Sequence, residues 1–112
     1  MAVYVSNLTI NTGTTFSQVF TLESAATNSA TDLTGFTANA QMRKHADALT
    51  FTNFTTQIIN PTSGKIRVGL TTSQTATLKP GRHVYDVLIT DTSGEVTRVL
   101  EGSVLVRQGA TR

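Results

Sequence analysis

The sequence contains no cysteine and no tryptophan, and only two of its 112 residues are proline. Without cysteine there can be no disulfide, no thiolate metal site and no thiol nucleophile, and a chain of this length needs no covalent staple to fold. Charge is equally sparse. Lys and Arg number nine and Asp and Glu seven, so charged residues make up 14% of the chain against about 25% in an average soluble protein. The net charge of +2 is spread thinly, and Arg43-Lys44 is the only adjacent pair of cations. Nucleic-acid binding calls for a patch or stripe of cations interleaved with stacking aromatics, and neither is present. No apolar run approaches the length of a membrane span, and no charged-then-apolar leader follows Met1, so neither a membrane segment nor a signal peptide is expected. Synthesis in the cytoplasm is the corresponding expectation.

What fills the space left by charge is threonine, with 22 residues in a chain of near-neutral mean hydropathy, −0.04. A β-branched hydroxyl side chain suits the solvated face of a strand better than a helix. The spacing of apolar residues agrees. It predicts an all-β fold, an antiparallel β-sandwich of seven or eight short strands in a single domain over residues 1–112, with a small closed barrel as the alternative.

Along the chain, Ala2 to Ile10 reads as an edge strand or docking arm, with Tyr4, Leu8 and Ile10 sharing one parity. After the Asn11-Thr12-Gly13 turn, Phe16, Phe20 and Leu22 share a face that also carries Gln18. Residues 23–34 lack periodicity and are expected to form a long mobile loop. Phe36 to Arg43 alternates cleanly, with Phe36, Ala38, Ala40 and Met42 on the core side, and the small alanines admit close approach of an opposing sheet. Lys44 to Leu49 is a polar connection. Asn60-Pro61-Thr62-Ser63-Gly64 is a strong turn signal that predicts a hairpin, whose second arm points Ile66, Val68 and Leu70 inward. One short helical turn is expected near 72–78, with Ser73 as its N-cap, Leu78 plugging the end of the core and Lys79-Pro80-Gly81 as its stop.

The strongest strand signal is His83 to Val106. Its turn, Asp91-Thr92-Ser93-Gly94, is read as a loop in which Gly94 takes a left-handed bulge position. That register places Val87 opposite Val99 and brings Asp86 diagonally beside Arg98 as an ion pair. It also leaves Leu88, Val96 and Leu100 on the face opposite Tyr85, Val87 and Ile89. A hairpin apolar on both faces is either covered by another layer or meets a neighbour. The candidate interface residues are therefore Tyr4, Val5, Leu88, Val96, Leu100 and Arg107, the last opening a polar tail. Gly64, Gly81 and Gly94 are the turn glycines. Gly102 is expected to bend the chain before a last strand.

The chemistry-bearing residues do not converge. Asp91 and Glu95 flank one turn, where aspartate usually bonds its own backbone. His45 and His83 are the only histidines, with no metal-ligand spacing, and no nucleophile elbow or phosphate-binding loop occurs. No catalytic residue, metal site or cofactor is expected. Tyr4 and Tyr85 offer at most a meagre platform for a sugar.

Three stretches carry a resemblance: DLTGFTANAQMRK (Asp32 to Lys44), SGKIRVGLTTSQTATLKPGRHVYDVLIT (Ser63 to Thr90) and SGEVTRVLEGSVLV (Ser93 to Val106). Together they resemble small β-sandwich virion proteins of tailed bacteriophages, including those of cyanophage type, and are similar in kind to the N-terminal domain of upper baseplate proteins. The resemblance implies a non-enzymatic structural subunit in many copies on a tail, baseplate or head. Its partners are then other virion proteins and copies of itself, with no nucleic acid or membrane, and its location is the virion. No fibre-like extension follows Arg112, which favours an adaptor or decoration subunit. A carbohydrate-binding module that contacts a host-surface glycan is the alternative.

Overall fold

Apolar residues at every second position, separated by glycine and proline turns, leave the chain little choice but strands. The computed structural model describes residues 4–22 and 32–109. In chain order the strands are β1 (Tyr4–Val5), β2 (Leu8–Asn11), β3 (Phe16–Thr21), β4 (Thr37–Arg43), β5 (Thr52–Asn53), β6 (Thr55–Asn60), β7 (Lys65–Leu70), β8 (Gly81–Thr90) and β9 (Val96–Arg107), with one helix, α1 (Thr72–Ala76), between β7 and β8. They form two sheets that pack as a sandwich. The larger is six-stranded in the order β1-β9-β8-β4-β5 with β2 also on β9, and the smaller is three-stranded in the order β3-β7-β6. Residues 23–31 of the loop expected over 23–34 lie outside the described residues, as does the side chain of Tyr4.

The core is the set of inward faces. From the larger sheet come Ala40 and Met42 on β4, Tyr85, Val87 and Ile89 on β8, and Val99, Leu100, Val104 and Val106 on β9. Facing them on β7 are Ile66, Val68 and Leu70, with Phe20 on β3. A fully buried aliphatic side chain contributes about 1.5–3 kcal/mol, so this layer is the main source of stability. Gln18, though on the core-side parity of β3, lies where the strand is exposed.

The crossing between sheets is made at Phe54. β5 pairs with Gln41 and Met42 in the larger sheet, and one residue later β6 runs beside β7 in the smaller one. Phe54 N–H donates to Ala40 O at 3.0 Å, and the Thr56 hydroxyl donates to Ala38 O at 2.8 Å. The Phe54 ring is buried between Phe16 and Tyr85, with centroids 6.1 and 6.2 Å away. Alanine at positions 38 and 40 leaves room for this close approach.

Residues 60–64 form the expected hairpin through a single 3₁₀ turn closed by Gly64 in the left-handed conformation. The helix is capped by Thr71 and not by Ser73. Thr71 and Gln74 form a reciprocal capping box, which satisfies two backbone donors where Ser73 could satisfy only one. Thr75 on α1 is fully buried and its hydroxyl donates to Thr14 O at 2.8 Å, which ties the helix to the turn before β3. Leu78 packs against the core.

Three further features of the fold differ from the expectations. The N-terminal strands run parallel to β9, with Tyr4 opposite Leu100 and Leu8 opposite Val104, so the larger sheet is mixed. Gly102 makes no bend, because β9 passes through it as one strand of 12 residues. Its role is proximity: a Cβ there would lie 2.2 Å from Ser6 O. Finally, β9 carries a bulge opposite Val87 and Leu88.

A candidate interaction face on the larger sheet

The β8–β9 turn is built by Asp91. Its Oδ1 accepts hydrogen bonds from Ser93 N, Ser93 Oγ and Glu95 N at 2.8–2.9 Å, while Gly94, with φ at +91°, donates to Asp91 O. A residue with a Cβ rarely adopts that φ, so Gly94 sets the register of the pairs next to the turn. Bonds from Ser93 and Glu95 hold the Asp91 carboxyl below its ordinary range. The carboxylate is thereby occupied with its own turn, and Glu95 is an exposed neighbour of it.

From this turn the pairing begins with Thr90 opposite Val96, Ile89 opposite Thr97 and Leu88 opposite Arg98. It then shifts by one, so that Val87 lies opposite Leu100 and not Val99. The cause is electrostatic. Arg98 and Glu101 have opposite parity, and a regular strand would bury one of them as an unpaired charge. The bulge lets both face solvent and turns Val99 and Leu100 into the core together. Leu100, expected on the outer face, is therefore a core residue at 3% exposure. A Val-Leu pair bracketed by charges three apart is the signal that points to such a bulge.

The outer face includes Val84, Asp86 and Leu88 on β8, Gln41 on β4, Val96, Arg98 and Glu101 on β9, and Val5 on β1. These line or flank an open groove of about 600 Å³. Val5 is 73% exposed, Val96 57% and Val84 38%, while Leu88 is half-buried. In the floor, Arg98 Nε lies 3.2 Å from Asp86 Oδ2 with both side chains partly exposed. Such a pair contributes about 0–1 kcal/mol and orients charge more than it stabilises. Glu101 lies opposite Asp86 in the ladder, and it is Asp86 that pairs with Arg98. Arg107 is exposed at the far end of β9, opposite Asn11.

Tyr85 points away from this face. Its ring is in the core and its hydroxyl donates to Ser6 O, across the space that Gly102 leaves open. Burial raises its phenol above the ordinary value, with the bond to Ser6 opposing. It offers no ring to a sugar.

A second groove of about 340 Å³ lies at the β4 exit and is lined by Arg43, Lys44, Phe51, Lys79 and His83. Its cations are engaged or solvated. Arg43 stacks 4.7 Å over Phe51 and donates to Ala48 O and Gln41 Oε1. His83 is buried with Nε2 2.9 Å from Lys79 O, and His45 is exposed on a loop. Among the described residues no group of three or more His, Cys, Asp or Glu is placed to hold a metal ion, and no helix is long and apolar enough to cross a membrane. Gly64 and Gly81 have positive φ, Gly64 closing the hairpin turn and Gly81 opening β8.

The fold and face define an all-β sandwich whose larger sheet carries exposed valines beside an ion pair on its outer surface. No family model matches the sequence, and no curated protein matches it. Among solved structures, the internalin-like protein lmo2027 of Listeria monocytogenes is similar over 96% of this chain, with a TM-score of 0.46 and 13% identity. This chain spans 28% of the length of that one.

Proposed function

We propose that this chain is a non-enzymatic structural subunit of a bacteriophage particle, an adaptor or decoration protein of tail, baseplate or head. The observation that carries the reading is the outer face of the larger sheet. Val5, Val84 and Leu88 line one groove with the Asp86–Arg98 pair, and Val96 is exposed on the same face, where a stand-alone sandwich would place polar residues. Low charge supports it too, because a surface of neutral polar and apolar groups packs against a neighbour with little desolvation. The likeness of the three quoted stretches to virion sandwiches names the kind of neighbour.

The test is incorporation into particles that lack the protein. Wild-type chain is expected to bind them, and Val96→Asp combined with Val5→Asp to abolish binding while leaving the thermal midpoint within a few degrees, since both side chains are exposed. Leu100→Asp is expected to unfold the chain, because it puts a charge into the core. A protein with no particle affinity but clear binding on a glycan array overturns the proposal.

A further inference from the structure

Edge strands normally carry some protection against pairing with another chain, such as short length, a lysine, a proline or a bulge. Most edges here have it. β5 is two residues long, β6 shifts register between Ile58 and Asn60 and is tied to β4 through Thr56, and the N-terminal edge is interrupted at Ser6-Asn7 between β1 and β2. Among the described residues β3 has none of these devices, and β7 is its one strand partner. It pairs with β7 at six consecutive positions, from Phe16 opposite Leu70 to Thr21 opposite Lys65, with no shift, and its sequence FSQVFT contains neither charge nor proline.

The direction of the hydrogen-bonding groups that β7 does not engage follows from the ladder. Leu22 N–H donates to Gly64 O, on the β7 side. In an antiparallel ladder alternate residues turn to opposite sides, so Ser17, Val19 and Thr21 present their N–H and C=O groups outward. The Gln18 side chain reaches one of them, with Nε2 3.5 Å from Val19 O, an exposed contact at the limit of a hydrogen bond that a backbone donor at about 2.9 Å outcompetes. On the outer face of the sheet, Val19 is 40% exposed.

We propose that β3 pairs with β3 of a second copy of this chain, antiparallel about a two-fold axis at Val19, so that two smaller sheets become one. The occupant follows from self-complementarity. Centred on Val19, the register sets Val19 against Val19 and Ser17 against Thr21 in both directions, so every outward backbone group of β3 gains a partner, about six hydrogen bonds in all. The same register covers the exposed valine and pairs hydroxyl with hydroxyl on the outer face. Charge permits it. The nearest cations on that face, Lys65 and Arg67 of β7, are separated from their symmetry mates by three strand spacings, ~14 Å, beyond the screening length of ~8–10 Å at ordinary ionic strength. The contact lies on the other sheet from the face assigned to particle neighbours and does not depend on that assignment.

Sedimentation equilibrium of the intact chain tests it. Wild type is expected to form dimers, and Val19→Lys, which sets two ammonium groups face to face, to weaken them at least ~10-fold with unchanged circular dichroism and thermal midpoint. Because the chain has no cysteine, Val19→Cys supplies a direct readout. Facing residues of a hydrogen-bonded pair have Cα atoms ~5.5 Å apart, within disulfide reach, so mild oxidation is expected to give a covalent dimer. Val96→Asp is expected to leave self-association intact. A wild type that stays monomeric at ~100 μM, dimers that survive Val19→Lys, dimers lost through Val96→Asp instead, or a Val19→Cys chain that does not cross-link each overturn the proposal.

Discussion

Asp91 does at the scale of one residue what the hairpin needs at the scale of two strands. Its carboxylate collects the N–H groups of Ser93 and Glu95 and is held below the ordinary value of 3.8, and Asp32 is lowered in the same direction by the hydroxyl and N–H of Thr34. A depressed folded-state value means that the unfolded chain takes up protons first as pH falls. The stabilisation is complete above the ordinary value and is lost as pH drops through the lower folded one. Tyr85 works at the other end, since its raised value favours the folded state below 10.0, a contribution lost as pH rises through the folded-state value. The urea midpoint is therefore expected to be flat between about pH 5 and 9, to fall in acid and to fall again above about pH 10. Asp91→Asn keeps an acceptor but removes the titration, and the acid limb measured for it should be shallower.

At the scale of elements, the seam between the N-terminal strands and β9 is held by an absence. Gly102 has no side chain, so the Ser6 carbonyl reaches inward to the Tyr85 hydroxyl, while Asn7 Oδ1 accepts from Ser103 N and Oγ at 3.1 Å. Gly102→Ala would force Ser6 away from β9 and leave the Tyr85 hydroxyl unpartnered. A loss of about 1–3 kcal/mol in urea denaturation is expected, with faster amide exchange in β2. Added to it, Tyr85→Phe should cost less than it does alone, because both act on one seam. β9 is also where the sequence misled. Its alternation reads as regular from Val96 to Leu100, and only the opposite parity of Arg98 and Glu101 betrays the bulge that buries Leu100.

Across the whole molecule, strength is uneven. β8 is paired along its full length on one side and along most of it on the other, whereas β5 is held by two register pairs. Hydrogen exchange should rank accordingly, with amides of β8 near Val87 slowest and those of Thr52 and Asn53 among the fastest in the larger sheet. If exchange in β8 were as fast as in β5, the larger sheet would not be the stable unit described. The two candidate contacts then fall on different parts of the sandwich, one on the outer face of the larger sheet and one on an edge of the smaller, so a subunit can use both at once.

Sequence alone determined what depends on near neighbours. The all-β class, the Pro61–Gly64 hairpin, the Gly94 turn, the helical turn after β7 and the inward faces of β4 and β7 follow from alternation and turn chemistry within a few residues. The Asp86–Arg98 proximity followed from the same turn, which sets the register nearby. Only the tertiary structure decided that β1 and β2 lie parallel to β9, that the chain changes sheets at Phe54, that Gly102 serves proximity in place of flexibility, and that Val99 and Leu100 are both buried. Each of these is settled by what stands across the sheet or across the core, beyond the few residues that a local pattern spans; even where the charges around Val99 and Leu100 hint at a bulge, packing against β8 chooses its place.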